Sequence, residues 1–194
     1  MKPNDPEALQ VAFLVFDVLD SLGRPYHLGG SYASSIHGIP RQTHDIPIVC
    51  DLQSGDAERL ATEFAEDFYC DRDRIAQAIS KHSSFNLVHL KTGVKIDLFP
   101  KGKDRYDSEE LDRSQMLELG EPSRPVPVKT AEDTILRKLE WYRQGGEVSE
   151  RQWGDVLGIL RTQEDRLDLD YLRSRSENLG VGDLLEEAFE EVAG

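Results

Sequence analysis

Two aspartates stand in apolar, strand-like company, Asp45 in "HDIPIVCDL" and Asp97 in "VKIDLF". Acids are depleted from buried strands because an unpaired carboxylate there is costly. Two of them in separate strands either meet over a bound cation or sit at strand ends, solvated or paired to Arg41 or Lys95. Magnesium suits the first arrangement, since it takes one or two carboxylates and completes its shell with substrate phosphates. Upstream, Gly29 and Gly30 leave room for a ligand to approach the backbone. If Ser31 opens a helix, its free N–H groups favour a phosphate. The plainer reading of the same residues is a tight strand-to-helix turn. Arg41 and Thr43 share the Asp45 face by strand parity, and His44 faces the other way. Arg41 reaches either a phosphate or a nearby acid. His37 and His44 are seven residues apart, as are His82 and His89, and none makes a zinc spacing with Cys50 or Cys70.

The elements that must position these groups can be read from periodicity. Leu9, Phe13, Phe16 and Leu19 recur at helical spacing, so residues 6–22 form an amphipathic helix with Pro6 in its first turn. "YHL" is a short strand, residues 31–37 a short helix ended by "GIP", and "HDIPIVCDL" a strand. A helix starts near Ser54, and "DRDRIAQAIS" is another. "SFNLVHL" and "VKIDLF", joined by "KTG", read as a β-hairpin. Residues 107–118 look helical and "SRPVPV" extended. Thr130 with Asp133, and Ser149 with Gln152, resemble capping boxes that open two further helices, the first over 131–142. In the second, Trp153, Val156, Leu157 and Leu160 form the apolar stripe. The interleaving predicts an α/β (α+β) front, residues 1–130, built on one mixed sheet flanked by helices. Residues 131–194 form a C-terminal helical region packed on that core. The leucine-rich final helix "DLLEEAFEEV" is expected to pack on its own core.

The chain has 194 residues and a net charge of −14. Residues 131–194 hold 16 acidic against 8 basic side chains, and the remainder is acidic too. Neither part is a basic platform for duplex DNA. No apolar run approaches a membrane span. The opening "MKPNDPEALQ" lacks a signal pattern, and two cysteines without a ligand motif suit a reduced, cytoplasmic setting.

"GGSYASSIHGIPRQTHDI" resembles the first motif of the nucleotidyltransferases related to DNA polymerase β, and more closely the minimal bacterial AbiEii- and MNT-type branch. That pattern is a Gly-Gly or Gly-Ser turn, a short helix, then Asp-x-Asp on the next strand and a third Asp on a later one. Gly30, Ser31, Asp45 and Asp97 match it. "TAEDTILRKLEWYRQGGEVSERQWGDVLGIL" resembles the helical region that follows, with its Glu-Asp, Lys and Asp positions at Glu132, Asp133, Lys138 and Asp155. The resemblance implies a nucleotidyltransferase fold and transfer of a nucleotidyl group from a nucleoside triphosphate to a hydroxyl. It implies magnesium ligation by Asp45 and Asp97, and a triphosphate cradle at Gly29, Gly30 and Ser31. Lys138 would neutralise a phosphate, and Asp155 would hold Lys138 or the acceptor. Helical periodicity leaves Asp155 open, because it falls about 200° from Trp153, opposite the stripe, where a solvated position is equally natural. Lys138 reads equally as a surface lysine. The acceptor could be an RNA end, a protein hydroxyl or a small molecule.

One position departs from the pattern: Pro47 stands where the second Asp belongs. Positions 45 and 47 share a strand face. Proline cannot hold a cation, and it removes a ladder N–H, so this strand is expected at an edge or interrupted there. Asp51 has the right parity but lies about 20 Å from Asp45 along a straight strand. The two-ion site of such enzymes needs bridging carboxylates. One weakly held magnesium ion rather than two is therefore expected, with weak or absent transfer. The alternative is a non-catalytic relative that binds a nucleotide or a partner protein, such as a toxin–antitoxin component.

Overall fold

The computed structural model describes residues 6–43 and 45–194; His44, expected to face away from Asp45, lies outside the described residues, as do residues 1–5. In chain order the first elements are α1 (Pro6–Ser21), β1 (Tyr26–Leu28), α2 (Gly30–His37), β2 (Asp45–Cys50) and α3 (Asp56–Phe64). Then come β3 (Phe68–Tyr69), α4 (Arg72–Lys81), β4 (Phe85–His89), β5 (Lys95–Pro100) and α5 (Arg105–Asp112). The rest are β6 (Gln115–Leu119), β7 (Arg124–Val128), α6 (Ala131–Gln144), α7 (Glu150–Gln163), α8 (Leu169–Leu179) and α9 (Gly182–Ala193).

The strands form one mixed sheet of order β3-β4-β5-β2-β1-β7-β6. Its centre is the parallel pair β2–β5, with Asp45 opposite Lys95 and Pro47 opposite Asp97. β1 lies antiparallel to β2 on its other side, and β4 antiparallel to β5. Ile46, Ile48, Ile96 and Leu98 are fully buried on one face of the central pair. The odd-numbered residues of β2 and β5 point to the opposite face by strand alternation. The stripe read from α1 covers the apolar face, with Leu9, Phe13, Phe16 and Leu19 all buried. A second cluster joins Ile135, Leu136 and Leu139 of α6 to Val156 and Leu160 of α7 and to α8 and α9. Leu184, Leu185 and Ala188 bury α9 in that cluster, as its leucines suggest. No helix among the described residues is long and apolar enough to cross a membrane.

Two expectations are corrected. Residues 107–118 are not one helix. α5 starts at Arg105, where Asp104 N–H donates to Asp107, and ends at Asp112; Gln115–Leu119 is an edge strand paired antiparallel with β7. The ladder offered by β7 overrides a weak helical preference. Likewise β2 is neither an edge strand nor interrupted; it sits between β5 and β1. The register explains how it tolerates proline. β1 ends at Leu28, opposite Ile48, so the next pair would be Gly29 with Pro47. Gly29 N–H donates to the Pro47 carbonyl at 3.0 Å. The return bond, which proline cannot make, is not needed, because the Gly29 carbonyl accepts from Ala33 N–H as the first bond of α2. Proline stands at the one rung where the neighbouring strand has already turned into a helix.

Candidate active site

The β1–α2 connection sets the geometry. Gly30 has φ of +50°, a conformation that side chains disfavour, and a Cβ there would lie 2.8 Å from Pro47 Cγ. Gly30 is therefore held to glycine twice, and the Pro47 ring packs against the turn. Gly29 is extended, and a Cβ on it would meet only ordinary contacts, the nearest at 3.7 Å. Its part is the pivot from strand to helix.

A cavity opens on the sheet face beside this turn. Gly30 and Ser31 line it from the start of α2, Arg41 and Thr43 from the loop after α2, and Asp45 and Pro47 from β2. Asp97 and Phe99 line it from β5, Lys138 and Trp141 from α6, and Arg151 and Gln152 from α7. The two aspartates, 52 positions apart in sequence, thus meet in one cleft with the serine turn. Gly29 and Asp155 stand behind the wall rather than on it. Asp51 is remote from this cluster and pairs with Lys101 at 3.4 Å.

Asp45 and Asp97 are within hydrogen-bonding reach of each other. Burial and the adjacent Asp97 raise the Asp45 carboxyl above its ordinary pKa. Burial also opposes ionisation of Asp97, but donors outweigh it and hold that carboxyl below the ordinary value. Those donors are Asn86 Nδ2, at 3.0 Å, and Lys95 Nζ, at 3.0 Å from Oδ1. Of the two partners considered for these acids, Lys95 is the one found, and Arg41 is engaged elsewhere. A short relay ties the turn to β2. The Thr43 hydroxyl donates to the Asp45 carbonyl at 2.9 Å, so Ser31 Oγ, 2.9 Å from Thr43 Oγ1, is the donor of that pair.

The opposite wall is built on Asp155. Arg41 donates to it in bidentate fashion, Nε to Oδ1 at 2.7 Å and Nη2 to Oδ2 at 2.8 Å. Lys138 Nζ donates to Oδ2 at 2.6 Å. Both Lys138 and Asp155 are buried, so the surface lysine and the solvated helix position are not what the fold contains. α7 packs against α2, α6 and α9 together, which buries more than its apolar stripe. Burial lowers the Lys138 pKa from its ordinary value, and Asp155 only partly offsets this. Burial opposes ionisation of Asp155 as well, but Arg41 and Lys138 hold its pKa below the ordinary value. The Glu-Asp pair that precedes Lys138 has a structural part. Buried Asp133 accepts from Tyr106, Tyr171 and Arg113, and from Thr130 at the start of α6. Glu132 accepts from Asp168 N–H. His37 is buried and donates to the Lys129 carbonyl at 2.7 Å, which makes it part of the core.

Several lining residues went unread in the sequence, although spacing could have found them. Phe99 follows Asp97 by two on one strand face. Trp141 follows Lys138 by three, and Arg151 and Gln152 precede Asp155 by four and three, all helical neighbours. Asn86 is the direct cross-strand partner of Asp97 in the β4–β5 hairpin. Among the described residues no group of three His, Cys, Asp or Glu side chains could hold a metal ion. The pair Asp45 and Asp97 alone still fits magnesium, which accepts two carboxylates when a ligand's phosphates complete its shell.

No protein-family model matches the sequence, and no curated protein matches it. Solved structures do. The chain is similar to an antigenic nucleotidyltransferase-like protein from Paracoccidioides brasiliensis, with a TM-score of 0.56 and 16% identity, over 98% of this chain and 95% of that one. It is similar to antibiotic-resistance factor ANT(2'')-Ia, with a TM-score of 0.52 and 11% identity, over 97% of this chain and 99% of that one. A Thermotoga maritima protein described as a nucleotidyltransferase gives 0.51 and 18%, over 78% and 94%. The fold is that of the nucleotidyltransferases, with a C-terminal set of helices.

Proposed function

We propose that this chain binds a nucleoside triphosphate with one magnesium ion and transfers its nucleotidyl group to a hydroxyl acceptor, at a rate reduced by Pro47. The observation that carries the reading is the meeting of Asp45, Asp97, Ser31 and Lys138 in one cleft of a nucleotidyltransferase fold. The spacing of the Gly30–Ser31 turn, Asp45 and Asp97 supports the minimal AbiEii- or MNT-type branch.

Asp45 and Asp97 would hold the ion. When bound, magnesium supplies charge neutralisation at the phosphate oxygens and activation of the attacking hydroxyl. The chain's own groups supply the rest. Gly30 and Ser31 open α2 on the cleft, and a helix start there would favour the negative charge of a triphosphate at that end. Arg41 and Lys138, fixed on Asp155, bring a net single positive charge to the same end in a set geometry. Arg151 lines the cleft near Asp45 and Lys138, where its guanidinium would meet a phosphate. Pro47 lies directly across from Asp97. It removes the carboxylate that would bridge to a second ion, while the phosphate end is unaltered. That supports a second reading, a relative that binds the nucleotide without turning it over.

The test measures incorporation from each of the four ribonucleoside triphosphates, with and without magnesium, for the natural chain and for Pro47→Asp. Magnesium-dependent binding by the natural chain and a clear gain of turnover in the variant are expected. Robust turnover by the natural chain with no gain from the carboxylate refutes the account of Pro47. Binding in both chains with turnover in neither favours the second reading. No metal-dependent binding of any of the four refutes both.

A further inference from the structure

A second cavity continues the cleft along the sheet. It shares Gly30, Pro47, Phe99 and Trp141 with the first and adds Val49 on its floor and charged side chains, Arg137 among them, at its far end. Its floor is apolar for a definite reason. Pro47, Val49 and Phe99 are alternate residues of two paired strands, so they project to one face side by side. Where the usual pattern has a carboxylate, the proline ring extends that floor up to the serine turn. The helix wall presents Trp141, which is 44% exposed and whose side chain makes no hydrogen bond or ring contact among the described residues. A half-exposed tryptophan at the junction of two cavities offers a large flat face and a free indole N–H. The far rim is charged, with Lys101, Asp107, Glu110, Lys129 and Arg137 along it. Most of these groups pair with one another: Arg137 Nη2 donates to Asp107 Oδ1 at 2.6 Å and to Glu110 Oε2 at 2.9 Å, and Lys129 Nζ donates to Glu110 Oε1 at 2.8 Å.

We infer that this slot takes the nucleobase of the bound nucleotide, stacked on Trp141 above the Pro47–Phe99 floor. The inference rests on the nucleotide reading above and names the part of the ligand that reading leaves unplaced. The cations on the slot's rim are already paired with acids, Lys101 with Asp51, Lys129 with Glu110 and Arg137 with Asp107 and Glu110, so phosphates keep to their own end at Ser31, Lys138 and Arg151. A planar heterocycle with donors and acceptors on its rim suits an aromatic wall, an apolar floor and a charged, internally paired edge. Loss of a base-stacking aromatic side chain costs about 1–3 kcal/mol, about 5- to 150-fold in affinity.

Calorimetry on the whole chain with magnesium, using ATP and inorganic tripolyphosphate as separate probes, tests this. Trp141 contributes no core packing, so Trp141→Ala is expected to fold, and Trp141→Phe keeps a stacking face. ATP should bind about tenfold or more weakly to Trp141→Ala, near normally to Trp141→Phe, and tripolyphosphate should bind all three alike. Equal ATP affinity in the natural chain and Trp141→Ala overturns the slot and leaves the nucleotide reading standing. Equal weakening of both probes overturns it too, because Trp141 would then act on the phosphate end. If neither probe binds the natural chain, the slot and the nucleotide reading fall together.

Discussion

Asp155→Asn isolates the charge cluster behind the cleft. In the natural chain one carboxylate serves two cations, Arg41 at 2.7 Å and Lys138 at 2.6 Å. The two do not suffer equally when it is neutralised. The Arg41 side chain is 24% exposed and can turn toward water, whereas Lys138 is 4% exposed and cannot. Leaving a buried charge without its partner costs about 3–5 kcal/mol. A second limit comes from the lysine, which escapes the penalty by losing its proton. From an unfolded pKa of about 10.4, that escape costs about 4–5 kcal/mol near pH 7 but only about 2 near pH 9. With Arg41 relaxed, about 3 kcal/mol is expected at neutral pH, a fall in Tm of about 6–12 °C. The sign of the pH dependence follows from linkage. A lysine whose folded pKa is depressed binds fewer protons when folded than when unfolded, so stability rises with pH up to the unfolded value. Burial already lowers Lys138 in the natural chain, and losing Asp155 lowers it further, so the deficit must shrink between about pH 7 and 9. Urea denaturation of both chains at the two pH values measures it. In the double variant Asp155→Asn with Lys138→Met, at least half of the lost stability should return. A deficit that ignores pH and is not relieved by the second substitution refutes the orphaned-lysine account.

Two further outcomes are expected. Gly30→Ala places a Cβ 2.8 Å from Pro47 Cγ at a φ of +50°, so it should lose at least about 1–2 kcal/mol in thermal denaturation; an unchanged Tm would show that the turn is not held as described. Lys95→Gln removes the ammonium that sits 3.0 Å from Asp97 and competes with any cation there. Magnesium titration by calorimetry, with nucleotide present, should then show affinity tightened by about fivefold or more; weaker binding in the variant would mean that Lys95 helps rather than hinders the ion.

Much of this arrangement is legible in the chain. The α1 stripe, the β4–β5 hairpin and the caps at Thr130 and Ser149 rest on local signals, and local signals survive folding. Thr130 and Ser149 accept from Asp133 N–H and Gln152 N–H, as their spacing predicts. β6 was not legible, because Gln115–Leu119 takes its strand form from β7 across the turn rather than from its own residues. The burial of Asp155 was hidden for a related reason. A helical wheel identifies the most apolar face of α7, but α7 is enclosed by neighbours on other faces as well, and only the assembled fold reveals that.

Pro47 shows where parity ends and topology begins. Alternation correctly puts residue 47 beside Asp45 on one face, and the register puts it opposite Asp97. Neither says whether the strand is central, because that depends on what β1 does one residue past its end. β1 turns into α2 at Gly29, so the rung that proline cannot complete is already given over to the helix. The same turn brings Gly30 under the proline ring. The substitution is therefore accommodated at no cost in sheet hydrogen bonds, and its effect falls on the cleft alone. On the proposed reading, one carboxylate fewer and one apolar ring more would weaken the hold on metal while leaving the surfaces that would hold a nucleotide. A strand disrupted by proline would have lost both. Pro47→Asp and Pro47→Ala should accordingly differ in metal-dependent turnover while remaining close to each other in stability.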